Sequence, residues 1–524
     1  MLMNTRSATF RRVLRLGLVA ALSAPAPALA AEPEPKPEAV FSIELDRGED
    51  LGRNFGTIFE TRDDRGRPLL GAGFLSAYNT ADRSDRHVLR VFERNDAPTV
   101  FEPLPRVNGD AGVYLFERRG KVFAQSARAG GAEAGIWVYD EAANAWTLVD
   151  GLDPDSIDVA DGALERVGST IRYKDRDVLK WPDDQGKISL RHYVNGWLIV
   201  WNHFEAGDPR VERFLAWRWS PSRAEPLAAD DAMARPLSKK GEFPYAIGSL
   251  RDDVIATTNL GTILRLRNDR WETLREPDGT SCQIYAALNH GPSLWLGHYP
   301  SGEALEYDGE SIHDRPGRPP VPEGVSTAAR EAQTLTLYGG DVYAGVWPWG
   351  ELWRMEPSPD HWELVRRMFT QPALTAETVH PYERETDAAG AVYNQWGQRV
   401  TSMVHSGADL FISTSAKSSR PWTPEFGFLD EKARDEYGRV YRMTRPGAVA
   451  VPLRWTDGPT KIRVTLEPDS IVVHQDDRLA ARARRAEPKN RPSAEALRSA
   501  QLVTGEGLYG PLQVKAQRVD AEHR

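Results

Sequence analysis

Alternating hydrophobic and polar residues recur along most of the chain and predict many short β-strands. In residues 112–126, two alternating segments flank a turn at Arg119-Gly120, which is the pattern of a β-hairpin. The same pattern returns in residues 190–203, around Asn195-Gly196, and again around Gly339-Gly340. A third strand with aromatic residues follows such hairpins, and then a polar turn and a further apolar strand, so each copy predicts a unit of four short antiparallel strands.

The spacing of these copies predicts a β-propeller. The unit recurs from about residue 54 to residue 453, at intervals of about 40–50 residues, which is the repeat length of a four-stranded blade. A β-sandwich would not repeat one unit six times, and the coils of a solenoid are shorter and lack hairpin turns. We therefore expect an all-β fold with a single propeller of about seven four-stranded antiparallel blades. Residues 152–186 are the candidate for an eighth blade, and residues 40–45 are expected to close the ring with a C-terminal strand.

The two ends of the chain differ from this repeat. Residues 1–30 combine early arginines, a short apolar run and Ala28-Leu29-Ala30, which is typical of a secretory signal peptide. The apolar run is shorter than the roughly 20 residues that cross a bilayer, so a membrane anchor is the weaker interpretation. We predict an exported, periplasmic or secreted protein with a Pro/Glu-rich tether at 31–39 and a propeller at 40–475. Residues 476–524 are predicted to form a charged extension, partly helical, that returns to the propeller.

Composition narrows the classes of partner. The 524 residues carry a net charge of −9, and removing residues 1–30 takes away four arginines and brings it to −13. So acidic a chain is a poor general binder of nucleic acid or of anionic membranes. One cysteine excludes an intrachain disulfide. No segment after the signal peptide is long and apolar enough to span a membrane, and we expect a monomer.

Hairpin register predicts which residues share one rim of the propeller. The start of the first strand and the end of the second strand of each blade lie at the same end of the central channel. Long insertions at 77–87, 370–398 and 415–437 are expected to emerge at that end as well, which marks it as the functional side. Counting outward from the turns places the following residues there: Tyr78, Asn79, His203, Tyr245, Asn259, Gln283, His298, Tyr299, Arg330, Glu331, Trp347, Trp349 and Arg399.

This set of side chains suits an anionic sugar polymer. Aromatic faces such as Trp347 and Trp349 stack on sugar rings, and arginines such as Arg330 and Arg399 grip carboxylates or sulfates in a bidentate manner. The alternative for the two tryptophans is that they belong to the buried aromatic signature of the blade. Tyrosine and histidine can move the protons that β-elimination from a uronate requires, once the carboxylate has been neutralised.

The export signal, the propeller and the His/Tyr/Arg rim together resemble the secreted β-propeller polysaccharide lyases that cleave ulvan and related uronate polymers. The resemblance covers residues 54–453. It implies two histidines from one blade and a Tyr–Arg pair from another, for which this chain offers His203 with His192 and Tyr245 with Arg265.

The roles predicted on this basis are specific. His203 and Arg330 neutralise and orient the acid group, and Tyr245 acts as base or acid. His298 and Tyr299 assist. The predicted binding residues are Trp347, Trp349, Asn259, Gln283, Glu331, Arg399, Tyr78 and Asn79.

Other functions stay open. A non-catalytic propeller that binds glycan or protein needs only the aromatic residues and arginines. A hydrolase would use two carboxylates, for which Glu331 and Asp110 are candidates. No cofactor is required by any of these functions. A structural zinc near Cys282 and His298 is the less favoured alternative to an inert buried thiol.

Overall fold

The computed structural model describes residues 37–53, 55–75, 77–79, 87–107, 112–126, 135–277, 282–356, 361–418, 422–456, 458–507 and 513–519. For 77–79, 505–507 and 513–516 it describes the backbone alone. The predicted signal peptide and most of the predicted tether lie outside these ranges. The described part of the chain is mostly strand and forms nine antiparallel sheets, none of which closes on itself. This confirms the prediction of an all-β, propeller-like fold.

Six strands precede the first complete blade: β1 (Ala39–Asp46), β2 (Thr57–Arg62), β3 (Pro68–Phe74), β4 (Ala77–Asn79), β5 (Val88–Glu93) and β6 (Val100–Pro103). Blades 1 and 2 follow as β7 (Val113–Arg118), β8 (Lys121–Ser126), β9 (Ile136–Asp140), β10 (Ala145–Val149), and β11 (Ile157–Val159), β12 (Gly162–Val167), β13 (Thr170–Tyr173), β14 (Arg176–Lys180). Blade 2 occupies the segment 152–186, which the sequence left as a candidate eighth blade.

Blades 3 and 4 are β15 (Lys187–Val194), β16 (Trp197–His203), β17 (Arg213–Arg218), β18 (Met233–Pro236), and β19 (Pro244–Leu250), β20 (Asp253–Thr258), β21 (Ile263–Arg267), β22 (Arg270–Arg275). Blades 5 and 6 are β23 (Gln283–His290), β24 (Ser293–Tyr299), β25 (Ala304–Tyr307), β26 (Ile312–Asp314), and β27 (Glu331–Tyr338), β28 (Asp341–Trp347), β29 (Glu351–Met355), β30 (Trp362–Arg367). In each blade the alternation of the sequence appears as a hairpin-by-hairpin meander.

Blade 7 and the C-terminal strands complete the fold: β31 (Gln398–Ser406), β32 (Asp409–Ala416), β33 (Val440–Thr444), β34 (Ala448–Pro452), β35 (Thr460–Leu466), β36 (Ser470–Gln475), β37 (Arg478–Arg484), β38 (Gln501–Gly507) and β39 (Gln513–Arg518). The helices are α1 (Glu383–Ala388), α2 (Glu431–Asp435) and α3 (Ala494–Ser499). Single 3-10 turns lie at Asp183–Gln185, Ala229–Asp231, Pro424–Phe426 and Pro488–Asn490.

Hydrophobic contacts between neighbouring blades arrange the seven blades in a ring. Separate buried clusters join blades 2 and 3, blades 3 to 5, blades 5 and 6, blades 6 and 7, and blades 7 and 1. Blades 1 and 2 meet through a polar contact, in which Arg118 Nε lies 3.5 Å from Asp158 Oδ1. The core therefore lies between the blades, as the two-sided burial of the inner strands requires.

The ring closes through a strand from the N-terminal half of the chain. β6 supplies the outer strand of blade 7, and its register with β33 runs from Val100 opposite Thr444 to Pro103 opposite Tyr441. The predicted pairing of residues 40–45 with a C-terminal strand does occur, since β1 pairs with β35. It lies in a different sheet, outside the ring, so the expectation that this pair closes the propeller is wrong.

The two remaining sheets form a sandwich beside the ring, which we call the flanking sandwich. Their strand orders are β37-β36-β35-β1-β39 and β34-β5-β3-β2-β38. The sheets pack face to face through one buried cluster in which the rings of Phe41 and Phe59 stack 5.4 Å apart. The hairpin around Arg65-Gly66, which joins β2 and β3, belongs to this sandwich, although the blade repeat was expected to begin at about residue 54. Arg478–Arg484, where the charged sequence suggested helix, is strand β37.

A buried aspartate ties two of the connections between the ring and the flanking sandwich to blade 6. Asp341, which is 1% exposed, accepts from Arg94 Nη1 at 2.7 Å and from Arg445 Nη1 at 3.2 Å. Arg94 follows β5 and Arg445 follows β33, so each arginine sits where the chain crosses between the two parts. Arg354 Nη1 of blade 6 lies 3.8 Å from the same carboxylate.

We expect the Asp341→Asn variant to lose about 3–5 kcal/mol of unfolding free energy, because it leaves buried guanidinium groups without their counter-charge. Denaturant unfolding of purified protein measures the loss. The matched control is Asp252→Asn, an exposed aspartate in the turn of blade 4. Equal stability of the two variants would contradict the anchoring role of Asp341.

Candidate functional site

Five consecutive blades carry a β-bulge in the inner strand, near one end of the central channel. In each case the register gains one extra residue on the inner strand relative to the second strand. A bulge bends the strand and re-aims the side chain of the extra residue. The bulged residues of blades 3 to 7 are Arg191, Tyr245 with Ala246, Tyr285, Gln333 and Thr401.

These bulges shift every register counted outward from the turns by one residue. Counting strand pairs outward from the Gly339-Gly340 turn gives the observed pairing close to the turn, where Tyr338 lies opposite Asp341. Beyond the bulge the counted pairing is wrong by one residue. The observed pairs are His203 with Lys187, Thr258 with Pro244, Gln283 with Tyr299, Glu331 with Trp347 and Arg399 with Ser415.

Six side chains from blades 4 to 7 meet at the bulged end of the channel, and we call them the mouth cluster: Tyr245, Tyr285, Glu331, Trp347, Arg399 and Lys417. Glu331 is completely buried and lies at the centre, with Lys417 Nζ 3.3 Å from Oε2 and Arg399 Nη2 3.4 Å from Oε1. The Lys417 ammonium also lies over the faces of Trp347, 4.8 Å from the ring centroid, and Tyr285, at 5.9 Å. Two cations therefore share one carboxylate, which leaves the cluster net positive.

Aromatic rings of three adjacent blades, 4 to 6, lie side by side at the mouth cluster. The rings of Tyr245 and Tyr285 stack with centroids 4.5 Å apart, and Tyr299 lies 6.2 Å from Trp347. Tyr245 and Tyr299 are partly exposed, and the Lys417 side chain is 24% exposed, whereas Trp347 is 1% exposed. A bound molecule could therefore touch the tyrosines and Lys417 and would meet Trp347 only through them.

Burial and neighbouring charges perturb the acidities in the mouth cluster. Burial, and next the charge of Arg399, lower the pKa of Lys417 to about 8 against the opposing effect of Glu331. Burial opposes the charge of Arg399, but Glu331 together with the neighbouring tyrosines outweighs it and holds the pKa of Arg399 above its usual value. Burial raises the pKa of Tyr245 to about 12. Lys417 is thus the member that can change its charge near neutral pH, while Tyr245 stays protonated.

Two of the predicted site residues are fully buried next to this cluster. Arg330 is 0% exposed, and its Nη2 donates to the buried carboxylate of Glu351. Trp349 is also 0% exposed and packs under the Arg367 guanidinium, 5.3 Å from the ring centroid. Neither side chain reaches the channel surface, so contact with a bound molecule would require both to move.

His298 forms a separate buried pair with the single cysteine. Its Nε2 lies 3.1 Å from Cys282 Sγ, and its Nδ1 lies 2.8 Å from Ser301 Oγ. The predicted proximity of Cys282 and His298 is thus found. Among the described residues, no three His, Cys, Asp or Glu side chains are grouped as a metal site would need.

His203 lies in blade 3, beside the mouth cluster rather than in it. Its ring stacks on Trp201, 4.4 Å away, and its Nε2 lies 3.4 Å from Ser189 Oγ. Burial and then the charge of Arg191 lower the pKa of His203. Phe243 stands between Trp201 and Tyr245, with ring separations of 6.5 and 5.2 Å.

The remaining predicted residues have varied positions. Asn259 holds the loop before β19, because its Oδ1 accepts from Phe243 N at 2.8 Å. Gln283 is partly exposed at the start of β23. Arg265, from the Tyr–Arg pairing that the resemblance implied, lies in the third strand of blade 4 and bonds to Glu272 at 3.0 Å. Asp110 lies outside the described residues.

Tyr78 and Asn79 belong to a strand inside the channel. β4 pairs with the inner strand β23, with Ala77 opposite Leu288 and Asn79 opposite Ala286. The chain therefore enters the channel from the hairpin-turn end and runs towards the mouth. Residues 77–79 thus lie along the channel, whereas 80–86, the rest of the insertion expected on the rim, lie outside the described residues, as do the side chains of Tyr78 and Asn79.

The other two insertions do lie at the mouth of the channel. Residues of the 370–398 and 415–437 segments pack together in one cluster that includes Trp396, Phe426 and Tyr437. His380 reaches the mouth cluster, with its ring 4.9 Å from Trp347 and its Nδ1 3.3 Å from Glu383 Oε2.

Sequence reasoning missed Tyr285 and Lys417. Tyr285 is hidden in an apolar strand, and only its bulge turns it towards Tyr245. Lys417 directly follows β32, at the start of an insertion that was correctly expected at the rim. Extending the count to the first residue after β32 would have identified it.

Comparisons with known proteins give no family. No protein-family model matches the chain, and no curated protein matches it. Among the solved structures that are similar in part is one from a study whose title describes an analysis of two prolyl endopeptidases. Its sequence is 12% identical to this chain, and the TM-score is 0.30. The match covers 69% of this chain and 55% of that chain, so the chain spans about half the length of the protein it matches. No described helix is both long enough and apolar enough to cross a membrane.

We expect Lys417 to titrate near pH 8 and the Glu331→Gln variant to lower that midpoint by about one further pH unit. The reason is that Glu331 is the group that favours the charged amine. Acetylation by acetic anhydride across a pH series, quantified by mass spectrometry against the 80% exposed Lys180, measures the midpoint.

The control is Glu363→Gln, a 53% exposed carboxylate on the outer strand of blade 6. The assignment fails if Lys417 reacts with the same pH profile as Lys180, or if Glu363→Gln shifts the profile of Lys417 as much as Glu331→Gln does.

Proposed function

We propose that the mouth of the channel binds an anionic saccharide and cleaves a uronate-containing polymer by β-elimination. The observation that carries this proposal is the position of Lys417, between the Glu331 carboxylate and the faces of Trp347 and Tyr285. A cationic, aromatic and partly buried cluster of side chains at a ring opening has the properties that an acidic sugar requires. The predicted export would bring the protein to such polymers.

The net positive charge favours the substrate's acid group. While Lys417 is protonated, Arg399 and Lys417 together carry one charge more than Glu331 offsets, and their low-exposure setting strengthens the attraction; once Lys417 has lost its proton, Arg399 alone faces the acid group. Tyr245 and Tyr299, whose rings are partly exposed, would contact the sugar faces. We leave Arg330 and Trp349 out of this site because both are fully buried.

The shifted pKa values of Lys417 and Tyr245 suggest which group takes up a proton and which gives one up. The neutral amine of Lys417 removes the C5 proton, and the C4–O bond breaks as the C4–C5 double bond forms. The phenol of Tyr245, which stays protonated, gives its proton to the departing oxygen. Arg399 faces the uronate carboxylate and stabilises the negative charge that develops there.

Saccharide recognition without cleavage is the second candidate. It is favoured by the buried ion pair of Arg399 with Glu331, which already occupies part of the guanidinium that the lyase would need. In that case the mouth cluster would supply binding energy alone.

We expect ultraviolet absorbance to rise when the protein is mixed with a panel of uronate polysaccharides, ulvan included, because β-elimination forms a conjugated double bond. Lys417→Met should lower turnover by about 10²–10⁴-fold. Since the amine must be neutral, turnover should rise with pH to about 8 and then level off. The matched control is Lys432→Met, an exposed lysine of α2.

The other outcomes separate the candidates. Saturable binding without absorbance change favours recognition alone. New reducing ends without the double bond would favour a hydrolase and contradict the proposal. Full activity of Lys417→Met would remove the lysine from the mechanism.

We expect Tyr245→Phe to reduce turnover by a similar factor with little change in KM, because the variant keeps the ring and loses only the donated proton. Tyr139→Phe, on the outer part of blade 1, is the control for a lost tyrosine hydroxyl. Steady-state kinetics on the same polymer measure both, and full turnover of Tyr245→Phe would exclude the phenol as the acid.

A further inference from the structure

A cavity lies at the end of the ring opposite the mouth cluster, between the hairpin turns and the flanking sandwich. Its volume is about 590 Å³. The turns of blades 5, 6 and 7 form one wall, through residues such as His290, Leu337 and His405, and strands β2, β3 and β5 form the other. Interfaces between two structural units are common places for small-molecule sites, and this volume lies within the usual range of about 300–1,000 Å³.

Close packing around glycines preserves the shape of this cavity. A Cβ on Gly340, whose φ is +85°, would lie 2.4 Å from the Phe92 ring, and a Cβ on Gly73 would lie 2.7 Å from the Gly56 carbonyl oxygen. The first contact packs the turn of blade 6 against the sandwich wall, and the second packs β3 against the residue before β2 within the sandwich wall. Pro292 and Gly66, which also line the cavity, are exposed and mark its opening to solvent.

The walls are mainly apolar. Ile58, Phe74, Leu75, Phe92 and Val449 are among the side chains that line the cavity. A pocket of this composition takes an apolar body and orients it through a small number of polar groups.

The ionisable groups of the lining leave one positive charge. Glu60 and Arg62 balance each other in an ion pair of 2.9 Å, so Arg90 makes the described lining net positive. Arg90 and His405, from opposite walls, both line the cavity, and the charge of Arg90, after burial, lowers the pKa of His405. Burial lowers the pKa of His290 to about 4, so both histidines are neutral near neutral pH.

We propose that this cavity binds a small apolar molecule with an anionic head, such as a medium-chain carboxylic acid, whose carboxylate faces Arg90. The apolar chain lies against the sandwich wall and the turns of blades 5 and 6. This site is separate from the mouth cluster, since the two share no side chain.

Decanoate is the probe, and calorimetric titration of the full chain is the measurement. We expect saturable binding of one decanoate per chain, and binding of decanol at least about 10-fold weaker because it lacks the charge. Arg90→Gln should weaken decanoate about 10-fold or more and leave decanol unchanged. The control for a lost arginine is Arg119→Gln, an exposed turn arginine of blade 1 that is 64% exposed.

Filling the cavity supplies a second, independent test. Ala408→Trp, on the turn of blade 7, should abolish binding of both probes, and Leu337→Trp replaces it if that variant fails to fold. Lys417→Met at the mouth should leave decanoate affinity unchanged, which separates this site from the proposed function. Absence of saturable decanoate binding, or binding that survives both filled variants, would overturn the proposal.

Discussion

Pairing of β6 with β33 is the interaction on which the rest of the structure depends, because it joins two strands that lie more than 300 residues apart in the chain. Once β6 completes blade 7, the link from β5 to β6 and the link from β33 to β34 must leave the ring at the same place. Arg94 and Arg445 lie on those links, and Asp341 receives both. Burying a carboxylate and several guanidinium groups costs desolvation free energy. The ion pairs of Asp341 offset that cost at this junction, and they therefore hold the ring and the flanking sandwich together there. The cavity and the channel entrance of β4 both lie beside this junction.

The repeat pattern was enough to predict the propeller class, because alternation and turn residues are local properties of each hairpin. The position of ring closure was not predictable in the same way. β1 and β6 are both N-terminal strands that pair with C-terminal ones, and nothing in their sequences says which pair belongs to the ring. Nor could alternation distinguish a blade from a sandwich hairpin at residues 57–74, since both use antiparallel strands with one buried face.

The bulges explain why the predicted strand pairings at the site were wrong. Tyr245, Glu331, Trp347 and Arg399 were all placed at the rim, and all four belong to the mouth cluster. Their exact partners were wrong because each inner strand carries one unseen extra residue, which shifts the register without changing the alternation of the segments on either side. The assignments of Arg330 and Trp349 depended on position alone and took no account of burial, which removes both from the surface.

The two ends of the channel differ in chemistry but share one structural element. Leu75, just before β4, lines the cavity, and two residues later the chain pairs with Leu288 of β23 and runs up the channel. Asn79 then lies opposite Ala286, the residue after the bulged Tyr285 of the mouth cluster. Because protein interiors are close-packed, a displacement of this short segment at the cavity has to be accommodated along β23. β4, which enters the channel from the hairpin-turn end, therefore also lies beneath the mouth cluster. The propeller has this strand only because the chain leaves the flanking sandwich after β3 and returns to it at β5.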